Sequence, residues 1–308
     1  DPAPTEIYTL SLHDALPIYV FVSGNMVYVA AAFGGLQIVN ISNPANPVVE
    51  GSITWDRSNA VSVAVANGQI LIADRKNGLR LMDGSNPTAP LQRGDWNTFS
   101  FAYSVAFADE YAYVASGFNG VRIYNLEHAA HPVEVGLLRT EGFFYTLKVS
   151  GNRLFAGTMT GGPQNGLYAW DISDPVHPTQ IGYYQDAMEC RAIEVAGNMI
   201  YVADGNGLKI YELNNPPALN LIGFYPLNQT RGLTVRNGLV FVTQQFEGLQ
   251  ILDVSNPADI HLVGSFNADD SFTFGPVGIS GQYAYITEAW GLRVLDISEP
   301  AKIGRAHV

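Results

Sequence analysis

Short apolar stretches alternate with glycine-, asparagine- and proline-bearing turns along almost the whole chain. One unit recurs seven times: an alternating strand, a Gly-Asn-like turn, a Tyr-Val-Ala-like strand, and then Gly-Leu-x-Ile-x-Asp-x-Ser-Asn-Pro. Because glycine and asparagine tolerate positive φ angles, the turn predicts a tight hairpin. The glycines that open the last segment are spaced by 43, 42, 46, 41, 41 and 43 residues: Gly35, Gly78, Gly120, Gly166, Gly207, Gly248 and Gly291.

This period predicts the fold, because a repeat of about 42 residues is the size of one four-stranded propeller blade. We therefore predict an all-β protein, a seven-bladed β-propeller built from seven four-stranded repeats over residues 19–301. The seventh repeat ends after its third strand. The fourth strand of that blade must then come from residues beyond Ala301 or from residues before Tyr19.

The two ends of the chain match no repeat. Residues 6–18 read EIYTLSLHDALPI, which is the product of translating a common sequencing-library adapter in one frame, and the final KIGRAHV reads the same way for the opposite adapter. We therefore expect residues 1–18 and 302–308 to be non-native, and the chain to be a fragment of a longer protein whose leader is not visible. The stretch from Ile7 to Leu12 is nevertheless apolar enough to pair with the open edge of the seventh blade.

A polar column closes the third strand of every repeat, and its uniformity indicates a structural role. An Asp or Asn before Ser-Asn-Pro can accept backbone N–H bonds and fix a turn whose next step is locked by proline. A propeller also spreads successive copies around a ring, so these side chains do not converge on a catalytic or metal site. The column consists of Asn40, Asp83, Asn125, Asp171, Glu212, Asp253 and Asp296.

The segments LQIVNISNPANP, LRLMDGSNPTAP, LYAWDISDPVHP, LQILDVSNPADI and LRVLDISEP resemble the LVIVD repeat, which is found in predicted propeller proteins of bacterial and archaeal cell surfaces. The resemblance covers nearly all of residues 19–301, although VRIYNLEHAAHP and LKIYELNNPPAL depart from the pattern. It implies an extracellular or cell-envelope location. It brings no catalytic motif, and the Gly-His and Trp-Asp marks of WD40 blades are absent.

Composition narrows the choice of partners. Charged residues make up only 14% of the chain and the net charge is −12, which argues against a nucleic-acid partner because such binding needs clustered Lys and Arg. No run of 18 apolar residues is present, so we expect no membrane span in this segment. The single cysteine, Cys190, is expected to be a small buried hydrophobe. We expect a monomer with no cofactor and no metal.

Candidate site residues are those at which the repeats differ. In a propeller the first strand begins and the second strand ends on the same face, around the mouth of the central channel. One such column includes Tyr103, Tyr145, Arg191 and Arg231, and the other includes three acids. The planar donors of the arginines suit an anionic or sugar-like ligand, with stacking from an aromatic ring. The predicted ligand-binding residues are Arg191, Arg231, Tyr103, Tyr145, Asp74, Asp204, Glu288 and Trp290.

Three interpretations stay open for this face. The first is a non-enzymatic surface or secreted module that binds a protein or a polar, carbohydrate-like ligand. The second is a channel-mouth lyase or hydrolase acting on a carbohydrate or other polar small molecule, which would need two or more ionisable groups within hydrogen-bond reach in one pocket. The third is a purely structural spacer, which a flat, uncharged mouth would favour. The structural interpretation of the residues themselves is that Arg191 pairs with Asp204 and that the tyrosines cover loop backbone. No catalytic residue is assigned, because no nucleophile elbow or zinc-binding helix motif is present.

Overall fold

The computed structural model describes residues 6–12, 18–98, 101–128, 132–159, 164–185, 189–214, 218–267, 275–289 and 291–303, with only the backbone described for residues 6–9. Within these ranges the chain forms seven four-stranded antiparallel sheets. The prediction of a seven-bladed, all-β propeller is therefore confirmed. The regular helical structure in these ranges is one turn of 3-10 helix, Pro300–Lys302.

The strands are numbered in chain order, and each blade takes four of them. Blade 1 consists of β2 (Tyr19–Ser23), β3 (Met26–Ala30), β4 (Leu36–Asn40) and β5 (Val48–Ile53). Blade 2 consists of β6 (Ser62–Ala66), β7 (Gln69–Ala73), β8 (Leu79–Asp83) and β9 (Leu91–Trp96). Blade 3 consists of β10 (Ser104–Ala108), β11 (Tyr111–Ala115), β12 (Val121–Asn125) and β13 (Val133–Leu138).

The remaining blades follow the same order. Blade 4 consists of β14 (Phe143–Ser150), β15 (Arg153–Met159), β16 (Gly166–Asp171) and β17 (Thr179–Gln185). Blade 5 consists of β18 (Ala192–Ala196), β19 (Met199–Asp204), β20 (Gly207–Asn214) and β21 (Ala218–Pro226). Blade 6 consists of β22 (Thr230–Arg236), β23 (Leu239–Gln244), β24 (Gly248–Asp253) and β25 (His261–Phe266). Blade 7 consists of β26 (Val277–Ser280), β27 (Tyr283–Glu288), β28 (Gly291–Asp296) and β1 (Glu6–Ser11).

The first strands of the blades form the inner ring. Each contacts the first strand of the next blade, and β26 contacts β2, so the cycle is closed. The core is divided accordingly into seven apolar clusters, one between each pair of neighbouring blades. Strands with apolar residues on both faces are expected for sheets that are covered on both sides. The inner strands thus surround a central channel, where side chains from all seven blades can meet.

Ring closure comes from the N-terminal side. Strand β1 pairs antiparallel with β28, with Ser11 opposite Gly291. Of the two sources left open by the sequence, residues before Tyr19 supply the fourth strand, and the pairing falls in the stretch singled out for this edge. The pairing is made by backbone groups, which any sequence can supply, so it does not test whether the segment is native. The non-native origin of residues 1–18 and 302–308 stays a prediction.

The repeat turns adopt the conformations that their sequences predict. Asn67 and Gly68 have φ angles of 50° and 73°, as a tight hairpin with two left-handed residues requires. Six members of the polar column accept the backbone N–H of the residue two positions later, at 2.7 to 2.9 Å: Asn40, Asp83, Asn125, Asp171, Asp253 and Asp296. The scaffold role predicted for the column is confirmed for these six, whereas Glu212 accepts from the Asn198 side chain instead.

Candidate functional site

A cavity of about 850 Å³ occupies the central channel. Its wall is made by the inner strands, and residues of all seven blades contribute to it. The volume lies in the range of small-molecule binding sites, roughly 300–1,000 Å³. We call the end at which the first strands begin and the second strands end the mouth.

Five of the eight predicted site residues line this cavity: Arg191, Arg231, Tyr103, Tyr145 and Glu288. Asp74 and Asp204 do not belong to the lining. Both are buried behind it, with exposures of 0% and 1%. Trp290 lies outside the described residues. The structure therefore brings the arginines, the tyrosines and Glu288 together at one cavity, whereas Asp74 and Asp204 lie outside its lining.

The two arginines are held at the mouth with part of their hydrogen-bonding capacity unused. Arg191 donates to the Glu189 carboxylate, and Arg231 donates to the Gln245 side-chain oxygen. The Nε of each guanidinium is buried without a hydrogen-bond partner. Burial lowers the pKa of Arg231, and the nearby charge of Arg191 lowers it further. Two cations that repel each other in a half-buried wall create a site that favours an anion.

The interpretation that Arg191 pairs with Asp204 is wrong, since its ion-pair partner is Glu189. Asp204 is instead paired with Lys209, with 2.5 Å between Nζ and Oδ2. Asp204 also accepts the backbone N–H groups of Asn206 and Gly207 at 2.8 and 3.0 Å. Its role is to fix the hairpin between β19 and β20.

Buried acid–base pairs like this one recur at equivalent positions of two other blades. Asp74 accepts from Arg80 Nε at 3.0 Å, and Glu288 is paired with the buried Arg293. In each case the base lies two residues after the repeat glycine, next to the acid that ends the second strand. The three acids are therefore internal to their blades, although Glu288 also reaches the cavity wall.

Aromatic rings surround one side of the mouth. Tyr103 and Tyr145 are 5.8 Å apart between ring centroids, and Phe143 lies 5.1 Å from Tyr103. Phe101 and Phe118 extend the group outward, with 49% and 62% of their surface exposed. Such exposed rings beside a polar cavity are suited to stacking against a ligand. We call these five residues the aromatic rim.

A second charged group lies deeper in the channel, and sequence reasoning missed it. Lys148 of β14 and Glu194 of β18 both line the cavity and form an ion pair, with 2.7 Å between Nζ and Oε2 and 2.8 Å to Oε1. Tyr19 of β2 also lines the cavity, and both charges act on its hydroxyl. Burial raises the pKa of Tyr19, the charge of Lys148 opposes that shift, and Glu194 adds to it. We call Tyr19, Lys148 and Glu194 the deep group.

The signal for the deep group was present in the first strands. Three residues after the aligned column that contains Tyr103, Tyr145, Arg191 and Arg231, the seven blades read Phe21, Ala64, Ala106, Lys148, Glu194, Thr234 and Gly278. Two adjacent blades carry opposite charges where the others carry apolar, small or neutral side chains. The columns used for prediction covered the start of the first strand and the end of the second, so this position was not compared.

Outside this cavity, the described residues were expected to hold a structural cysteine, no metal site and no membrane span. Cys190 is buried with 3% exposure in the cluster between blades 4 and 5, as expected. Across the described ranges, no group of three or more His, Cys, Asp and Glu side chains is placed to hold a metal ion. In the same ranges, no helix has the length and hydropathy needed to cross a bilayer.

The geometry agrees with what comparison with known proteins shows. The LVIVD repeat profile matches residues 19–54, 58–98, 101–140, 146–186, 189–226, 229–268 and 275–305, so the chain belongs to the LVIVD repeat family. Among solved structures, the chain is similar to the computationally designed Ika8 protein, with a TM-score of 0.71 and 9% identity over 95% of this chain and 100% of that one. That likeness concerns the fold alone. No curated protein matches the chain.

Proposed function

We propose that the protein is a non-enzymatic binding module of the cell surface or secreted space, which holds a polar anionic ligand at the mouth of its central channel. The observation that carries the proposal is the pair of half-buried arginines, Arg191 and Arg231, which both line the cavity and repel each other. A carboxylate placed at the mouth would be attracted by both guanidinium groups and would relieve the repulsion between them. The cell-surface location rests on the family resemblance.

The shape of the site supports a small ligand more than a flat protein contact. The cavity of about 850 Å³ is concave and mixes apolar wall with a few polar groups, which is typical of small-molecule sites. The aromatic rim adds stacking surface on the side of blades 3 and 4. Arg75, whose charge acts on Tyr103, adds a third cation to the same rim.

The enzymatic alternative has one observation in its favour. Lys148 and Glu194 are two ionisable groups within hydrogen-bond reach in one pocket, which is the condition that a channel-mouth lyase or hydrolase must meet. Burial lowers the pKa of Lys148, but the charge of Glu194 and the proximity of Tyr19 outweigh it and leave that pKa above its usual value. A lysine that keeps its proton is a poor general base. The binding function is therefore favoured.

Calorimetric titration with galacturonate tests the proposal on Arg231. Replacing it by alanine should weaken binding of this carboxylate probe about 10-fold or more, since a hydrogen bond to a charged group is worth roughly 1.5–3 kcal/mol. Thermal unfolding should change little, because the lost contact is at the cavity wall. Arg93→Ala is the matched control: Arg93 pairs with Asp83 of the polar column, away from the mouth. Equal affinity for wild type and Arg231→Ala would refute the proposal.

A further inference from the structure

The deep group lies below the mouth on the same strands as the predicted site. Tyr145 and Lys148 are three residues apart within β14, and Arg191, which directly precedes β18, is three residues before Glu194 of that strand. At a rise of ~3.3 Å per strand residue, the two levels are separated by roughly 10 Å. One carboxylate cannot contact both levels, so a ligand that uses them together must be extended.

The ion pair in the deep group is not explained by scaffolding. It joins blades 4 and 5, and at the same strand position the other five blades pack without a charge. Replacing an ion pair in a protein interior by well-packed apolar side chains is often neutral for stability, so a tether between blades does not require these charges. The side chains of Lys148 and Glu194 are 34% and 25% exposed, and the surface that they expose borders the cavity.

The hydrogen-bonding capacity left in this pair defines what it can bind. An ammonium group has three donors and a carboxylate has about four acceptor positions. The contact between Lys148 and Glu194 uses only part of each. A donor beside an acceptor matches a hydroxyl group, which both accepts and donates, whereas a phosphate would be repelled by Glu194 and an amine by Lys148. Tyr19, kept neutral by its raised pKa, supplies a further hydroxyl at this level.

Resting on the proposed function, we infer that the ligand is an acidic oligosaccharide of at least two rings. Its carboxylate lies between Arg191 and Arg231, one ring stacks on the aromatic rim, and the hydroxyl groups of a deeper ring contact Lys148, Glu194 and Tyr19. The separation of the two levels selects against a single sugar, and the acceptor at the lower level selects against ligands that carry charge at both ends.

Calorimetric titration with three probes tests this assignment: galacturonate, the disaccharide galacturonosyl-galactose, which has one carboxylate, and the neutral disaccharide lactose. Galacturonosyl-galactose should bind the wild-type protein about 10-fold more tightly than galacturonate, and lactose should bind most weakly because it has no carboxylate. Glu194→Gln should remove the advantage of galacturonosyl-galactose and leave galacturonate unchanged. Glu134→Gln, which breaks the pair between Arg122 and Glu134 on an outer strand, should leave all three affinities as in wild type.

The outcomes distinguish failure of the oligosaccharide assignment from failure of the proposed anion-binding function. Equal affinity for galacturonate and galacturonosyl-galactose, or an equal loss of both in Glu194→Gln, overturns the acidic oligosaccharide and leaves anion binding at the mouth intact. Absence of binding by every charged probe overturns the proposed function, and the oligosaccharide with it. Should Glu194→Gln fold poorly, the double variant Lys148→Met with Glu194→Met replaces the pair by apolar side chains and must give the same loss of discrimination.

Discussion

Two kinds of charged pair meet near the mouth of this propeller, and they differ in almost every physical respect. Pairs such as Asp74–Arg80 lie within one blade, are nearly fully buried, and recur at equivalent positions. The Lys148–Glu194 pair joins two blades, faces the cavity and occurs at its strand position once. Repetition and complete burial therefore identify scaffold, whereas a single occurrence beside a cavity identifies a candidate site.

The sharpest way to break this distinction is to remove a recurring acid. Asp74→Ala should lower the free energy of unfolding by about 3–5 kcal/mol, since it leaves Arg80 buried without its main partner. It also removes the acceptor for Trp55 Nε1 at 2.6 Å and for the Asn59 backbone N–H at 2.5 Å. Urea denaturation measures the loss.

Asp95→Ala is the matched control for that experiment. Asp95 contacts the same arginine, with 3.8 Å between Arg80 Nη1 and Oδ2, but its side chain is 59% exposed. Its removal should change the free energy of unfolding by less than about 0.5 kcal/mol. A similar loss in the free energy of unfolding for both variants would show that burial does not distinguish the contribution of Asp74 from that of Asp95.

A smaller effect is expected for the cavity pair. Lys148→Met should cost about 1 kcal/mol at neutral pH, the size of a partly screened ion pair. Because the pKa of Lys148 is raised above its usual 10.5, this contribution should be fully present below pH 10.5 and should disappear as the pH rises through the folded-state pKa. Denaturation of both proteins from pH 7 to pH 11 measures the difference, and a loss that stays constant over that range would exclude the pair as its cause.

The smallest effect belongs to the polar column, whose side chains are partly exposed to solvent. Hydrogen bonds from Ser85 and Arg93 hold the pKa of Asp83 well below its usual 3.8. A lowered pKa stabilises the fold above pH 3.8, and the contribution is lost as the pH falls through the folded-state value. The difference in urea midpoint between wild type and Asp83→Ala should therefore narrow from pH 5 to pH 2. A difference that widens on acidification would contradict this role.

The fold could be predicted from sequence because it is encoded seven times. Turn residues such as Asn67 and Gly68, and the column headed by Asn40, each carry local information that a neighbouring blade repeats. The mouth arginines were predicted because strand starts can be aligned. Asp74 and Asp204 were predicted as site residues because the sequence analysis did not consider the basic residues that pair with them, Arg80 and Lys209. A basic residue two positions after the repeat glycine indicates such a pair, but the indication is decisive only when the burial of both groups is known.

The deep group illustrates a different limit. Tyr19 belongs to blade 1, which lies across the ring from blades 4 and 5, so its closeness to Lys148 and Glu194 depends on the diameter and closure of the whole inner ring. An alignment of the repeats carries no information on distances across the ring. The number of blades determines which residues face each other across the channel, and in a ring of seven each blade lies opposite the boundary between two others.

The pairing of β1 with β28 has a consequence for how the molecule comes apart. An open array of repeats can unzip from a terminal unit, because that unit has a neighbour on one side only. Here β1 completes the sheet of blade 7 and β26 of that blade contacts β2 of blade 1, so every blade has two neighbours. Losing any one blade exposes two apolar interfaces at once. Unfolding should therefore proceed as a single cooperative transition, with no partly unwound forms populated on the way.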